Sequence, residues 1–218
     1  MAAAAVIIIT FALGRAVCAQ QDDKAPEFGS VAGHVVDRQG KPMEGVQVSA
    51  LPLEQINLTG KAIFATTGSD GGFLLHQVHT GWNMVCVAKE ADLYPDTRFT
   101  VSTDDITLNA IVRVRPGEAA AGVFVMLGRK GVKLVGSIVD NRTGLMVQDT
   151  VLLLYWADDP SKSIEATADL EGQFEFVVAP RPLRLEVSAA GYRRWISPVI
   201  QTEPGEKKSL TVRLQPDR

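Results

Sequence analysis

Three histidines (His34, His76, His79) and two cysteines (Cys18, Cys86) are the whole stock of soft metal ligands in the chain. Zinc needs three or four such groups converging on one point. His76 and His79 stand three apart, a spacing that sends side chains to opposite faces of a strand, and His34 falls on the face opposite Val35. Solvated strand histidines and no metal centre are the expectation. Asp70, Asp169 and Glu171 precede Gly71 and Gly172. Calcium wants six or more oxygens, so these acids read as turn residues that accept backbone N–H bonds. No Gly-x-Ser-x-Gly elbow and no P-loop occurs, so no catalytic residue, no cofactor and no enzyme activity are assigned. Cys86 is aligned with Val187 on a core-facing row with Met84 and Trp82, where a thiol is inert. The aromatic residues are the best ligand candidates: Trp156, Tyr192 and Trp195 offer flat rings of the kind that cover sugar C–H faces, weighed against the commoner burial of Trp.

The charge balance narrows the partners. The 218 residues carry 22 basic and 25 acidic side chains, with 46% apolar residues, an ordinary globular composition. Without a basic block, nucleic acid is excluded as a partner. The apolar run AAAAVIIITFAL (2–13) is too short to span a bilayer. Followed by Val17, Cys18 and Ala19, it reads as a secretory signal cleaved after Ala19, although no Lys or Arg precedes it. A lipidated Cys18 is the minor alternative, because Arg15 and Val17 occupy places that lipoprotein signals give to other residues. The mature chain then begins with a polar linker (20–28), carries Cys86 as its one thiol and has no membrane span. It is exported: secreted, periplasmic or cell-surface associated.

Beyond Gly29 the apolar pattern has period two, the mark of half-buried strands. Gly and Pro punctuate it about every ten residues, as in an all-β sandwich. The pattern also recurs. VAGHVVDRQG (31–40) matches LVGSIVDNRTG (134–144), and TGSDGGFLL (67–75) matches TADLEGQFEF (167–176). WNMVCVA (82–88) matches LRLEVSA (183–189), and RPGEAAAGVFVML (115–127) matches EPGEKKSLTVRL (203–214). Four matches in one order predict two homologous domains, 29–128 and 129–218, joined with almost no linker. Phe73 and Phe174 are expected to be equivalent core residues.

The progression from Gly33 through Asp37, Gly40, Pro42 and Gly45 to Val48 resembles the carboxypeptidase regulatory-like domains. So do Thr167, Asp169, Gly172 and Phe174, and then Ala189, Gly191 and Tyr192. The resemblance implies two tandem seven-stranded, prealbumin-like (Ig-like) β-sandwiches, grouped with carbohydrate-binding-like folds. It also implies an accessory rather than peptidase role, since the His-x-x-Glu pair of the zinc carboxypeptidases is missing. Met146 and Asp149 replace the turn residues Pro42 and Gly45, which predicts a remodelled first hairpin in the second domain.

The function expected is that of an exported, non-catalytic binding or scaffolding protein with a protein or glycan partner. The alternatives are a carbohydrate-binding module, or an accessory component of an outer-membrane receptor or a secreted peptidase. One strand breaks the alternation. In VLLLYW (151–156), Thr150, Leu152 and Leu154 take the inward places, leaving Val151, Leu153 and Tyr155 outward as a candidate docking stripe. With Trp156, Tyr192 and Trp195 they complete the candidate contacts.

Overall fold

In the computed structural model, residues 27–55, 63–99 and 109–217 are described. The signal-peptide reading (1–19) and the linker reading (20–28) up to residue 26 lie outside them; Phe28, placed in the linker, already belongs to a strand. Alternation decides which face each strand buries. β1 (Phe28–Val36) turns Val31, Gly33 and Val35 inward; it lies between β4 (Gly72–His79), antiparallel, and β7 (Ala119–Met126), parallel. Facing this sheet, β2 (Gln47–Pro52) lies between β3 (Ile63–Thr66) and β5 (Gly81–Ala88), with β6 (Ala110–Val114) outermost. The second half repeats the plan. β8 (Val132–Asp140) lies between β11 (Gln173–Val178) and β14 (Lys207–Leu214). β9 (Val151–Trp156) lies between β10 (Ser163–Thr167) and β12 (Leu183–Ser188), with β13 (Trp195–Ile196) outermost. The fold is all-β: two sandwiches, each of seven described strands arranged as a three-stranded and a four-stranded sheet.

Each sandwich closes on its own core. Val31, Val48, Leu75, Val85 and Val87 fill the first, and Leu134, Ile138, Leu152, Leu154 and Leu185 the second. The same device anchors both. Phe73 pairs with Gly33 and Phe174 with Gly136, each ring lying over the glycine where a Cβ would stand. The rings are 6% and 7% exposed, so the two phenylalanines are equivalent core residues.

Two local features differ from expectation. Gln77 takes a left-handed φ of 56°, and two residues of β4 (His76 and Gln77) stand opposite one of β1. This is a β-bulge, and an extra residue reverses the facing of everything after it. His76 and His79 therefore both point outward rather than to opposite faces. The second sandwich has no such bulge in β11, so the repeat offset falls by one beyond it: Val87, not Cys86, matches Val187. The core row of β5 is Asn83, Val85 and Val87, and Cys86, Met84 and Trp82 lie on the other face.

The hairpin expected to be remodelled is retained. Val139 bridges Met146 as Val36 bridges Pro42, and Asp149 adopts φ 51° where Gly45 has 70°. Asp tolerates the left-handed region better than most residues, because its short polar side chain bonds locally.

Where the halves meet, the Gly131 N–H donates to the Leu93 carbonyl at 2.6 Å, the Lys130 ammonium lies 5.9 Å from the Tyr94 ring centre, and Phe99 packs against the second core. Among the described residues no helix is long and apolar enough to cross a membrane.

Candidate functional site

The turn acids do what turn acids do. Asp70 Oδ1 accepts the Gly72 N–H at 2.8 Å, and Asp169 Oδ1 accepts those of Glu171 and Gln173 at 2.9 and 2.7 Å. Among the described residues no group of three or more His, Cys, Asp or Glu comes together. Cys86, though on the outer face of β5, is fully buried; the Thr97 hydroxyl and Asp96 lie against it. Burial first, then the Asp96 carboxylate, push its thiol up to about 12. A thiol so protonated is a poor nucleophile. Asp96 is clamped by the Arg98 guanidinium, whose Nε lies 3.0 and 2.7 Å from its two oxygens. The same guanidinium lies 5.1 Å from the Phe64 ring centre and 5.5 Å from that of Phe99.

The aromatic candidates of the second sandwich do not share a surface. Trp156 is 4% exposed and belongs to the core, with the Arg181 guanidinium 4.2 Å over its ring. Trp195 and Tyr192 are half-buried against that core. Trp195 pairs with Val187, whereas Trp156 pairs with Leu183, four residues or about 13 Å along the same strand. Tyr192 donates its hydroxyl to Asp140 Oδ2 at 3.0 Å. These three rings form no common sugar platform.

The β9 stripe has the expected facing: Thr150, Leu152 and Leu154 are fully buried, Val151 is exposed, and Leu153 and Tyr155 are half-buried. Its neighbours are polar. Leu153 stands between Glu165 and Glu186, and Tyr155 between Ser163 and Arg184.

Apolar side chains also stand outward on the first sandwich. On β3, β5 and β6, Phe64, Trp82 and Ile111 are 46%, 51% and 61% exposed, with Met84 paired to Ile111. Pairing places Phe64, Met84 and Cys86 where the second sandwich has Glu165, Arg184 and Glu186. On the other sheet, Leu74, Phe124 and Met126 stand outward. Sequence reasoning missed these faces because an apolar residue on a period-two strand reads as core until its parity is known. In the second sandwich a depression of about 600 Å³ runs along β8, β11 and β14, lined by Ser137, Thr167, Asp169, Gln173, Glu175 and Thr211 among others.

No protein-family model matches the chain, and no curated protein matches it. Solved structures do. The shaft pilin SpaA from Lactobacillus rhamnosus GG (D295N mutant) is 11% identical, covering 88% of this chain and 99% of that one at a TM-score of 0.36. The minor pilin GBS52 of Streptococcus agalactiae is 14% identical, covering 87% and 97% at 0.33. The Bacillus anthracis TIE protein is 14% identical at 0.34, and there the match covers 87% of this chain and 34% of that one. At these scores the likeness carries no functional argument.

Proposed function

We propose that this chain is an exported, non-catalytic binding or scaffolding protein. Its units are two carboxypeptidase regulatory-like modules, 29–128 and 129–218, with the leader of residues 1–19 removed. One observation carries the reading: the outward Phe64, Trp82 and Ile111 of the first sandwich, at positions where solvent normally demands polar side chains. The second sandwich, built on the same pairing, has Glu165 and Arg184 in the places that Phe64 and Met84 take here, so the fold itself does not require apolar residues at those two places. Cross-linking in the native cell, followed by identification of what is captured, tests the reading. A triple variant Phe64→Ser, Trp82→Ser, Ile111→Ser that melts normally is expected to lose the cross-links. If capture is the same with and without the substitutions, the face is not a binding surface.

A glycan ligand is the second reading. The depression favours it through hydroxyl, amide and carboxylate groups from Ser137, Gln173, Asp169 and Thr211, suited to sugar hydroxyls. A glycan array answers it: binding lost in Gln173→Ala would support this reading, and silence across the array would remove it.

A further inference from the structure

Among the described residues β7 pairs with β1 alone and so forms one edge of the first sandwich's smaller sheet; an edge strand presents unpaired backbone donors and acceptors to any other strand. Proteins usually guard such edges with charge. β14, the equivalent edge in the second sandwich, carries Lys207, Lys208 and Arg213. Of the eight-residue edge strands β4, β7 and β14, β7 alone has no charged residue, no histidine and no proline; it reads AAAGVFVM. Its one protection is a bulge at Ala121 and Gly122, where Gly122 has φ 75°. Beyond the bulge, residues 123–126 pair regularly with β1. Because the Leu127 N–H donates to the Val36 carbonyl, alternation turns the N–H and C=O of Phe124 and Met126 away from β1 and toward the sheet edge, where no described residue pairs with them.

The side chains on this edge point the same way. Phe124 and Met126 are 59% and 37% exposed, and Leu74 (45%) continues the apolar face across the sheet through Ala32. In the second sandwich the equivalent places hold Thr211, Arg213 and Glu175. His34, paired with Phe124, is the one titratable group in the patch.

Going beyond the binding reading above, and resting on it only for the idea that outward apolar faces are used, we infer that β7 is a homodimer edge whose occupant is β7 of a second copy. A two-fold interface needs a patch that complements itself. An uncharged edge does so without like-charge repulsion, even though the chain carries a net charge of −3. With the two-fold axis at Val125, Phe124 of each copy faces Met126 of the other as a hydrogen-bonded pair. The two three-stranded sheets then become one continuous sheet. The outward side chains of each pair place a thioether against a ring edge, a favourable contact.

Sedimentation velocity of the purified full chain over a concentration series tests the inference. A concentration-dependent dimer is expected, and Phe124→Lys and Met126→Lys, both at exposed positions, should each return it to monomer with unchanged melting. Val125 meets Val125 of the other copy as a non-hydrogen-bonded pair, about 4.5 Å apart between Cα atoms and within disulfide reach; position 125 is buried in the single chain, so a Val125→Cys variant that melts normally should form a covalent dimer on oxidation. A monomer at every concentration, a dimer that survives both lysine substitutions, or a dimer that a normally melting Val125→Cys variant fails to lock would each overturn it. Phe64→Lys leaves this edge untouched and should not alter the dimer. If the dimer is absent while the Phe64 face still captures a partner, the binding reading stands without this one.

Discussion

Gly136 and Phe174 show how little freedom a single position has. A Cβ at 136 would sit 2.3 Å from the Phe174 ring and 2.5 Å from the Leu210 carbonyl oxygen. The ring is flanked by Phe176 at 6.0 Å between centroids, and the carbonyl belongs to the paired strand β14, so neither yields cheaply. Gly136→Ala is therefore expected to destabilise by about 1–3 kcal/mol, the usual range for overpacking, read as a lower denaturant midpoint; an unchanged midpoint would contradict the packing. Asp140 is a second fixed point. The Thr143 N–H first, then those of Arg142 and the Tyr192 hydroxyl, hold its carboxyl below the ordinary range. A folded-state value lowered in this way contributes stability above the unfolded value. That contribution is lost as the pH falls from about 4 through the folded value. Asp140→Asn should lower stability at neutral pH and flatten the acid limb of a midpoint-against-pH plot. An acid limb of unchanged slope would sink the assignment.

Elements were legible where their signals were redundant. Period two, the four-fold order of repeats and the glycines at 33 and 136 together specify the strands and their pairing. The glycines at 40 and 144 also set the facing of β9. The bulge was illegible: nothing in Leu75, His76, Gln77 and Val78 marks a left-handed residue, yet that one inserted position put Cys86, Met84 and Trp82 on the wrong face. Trp82 and Met84, the β5 part of the first sandwich's outward apolar surface, were lost to the same slip. Asp149 gave the opposite lesson, since a replaced glycine kept its conformation instead of changing the hairpin. If Asp149 holds φ 51° at a cost, Asp149→Gly relieves it while adding chain entropy to the unfolded state, which offsets part of the gain. A small rise in melting temperature, below about 1 kcal/mol in stability, is the expected net. A clear fall would mean that the Asp149 side chain does more than occupy the turn.

At the scale of the whole molecule, the two sandwiches share little that either needs to fold. Each has its own hydrophobic core and its own pair of sheets. Among the described residues the first half meets the second through Phe99 on the core, the Leu93 carbonyl that receives the Gly131 N–H, and Tyr94 and Pro95 beside Lys130 and Gly131. Residues 129–218 are therefore expected to fold alone, with a β-type circular dichroism spectrum and a cooperative melt. The melting temperature should fall below that of the second transition of the full chain, because the surface under Phe99 becomes exposed. Phe99→Ala in the full chain uncovers the same surface without cutting the chain, so it should move that transition toward the value of the isolated segment. A random-coil spectrum from 129–218 would mean that the junction is part of the folding unit. A full-chain melt indifferent to Phe99→Ala would mean that the ring adds nothing to the core it covers.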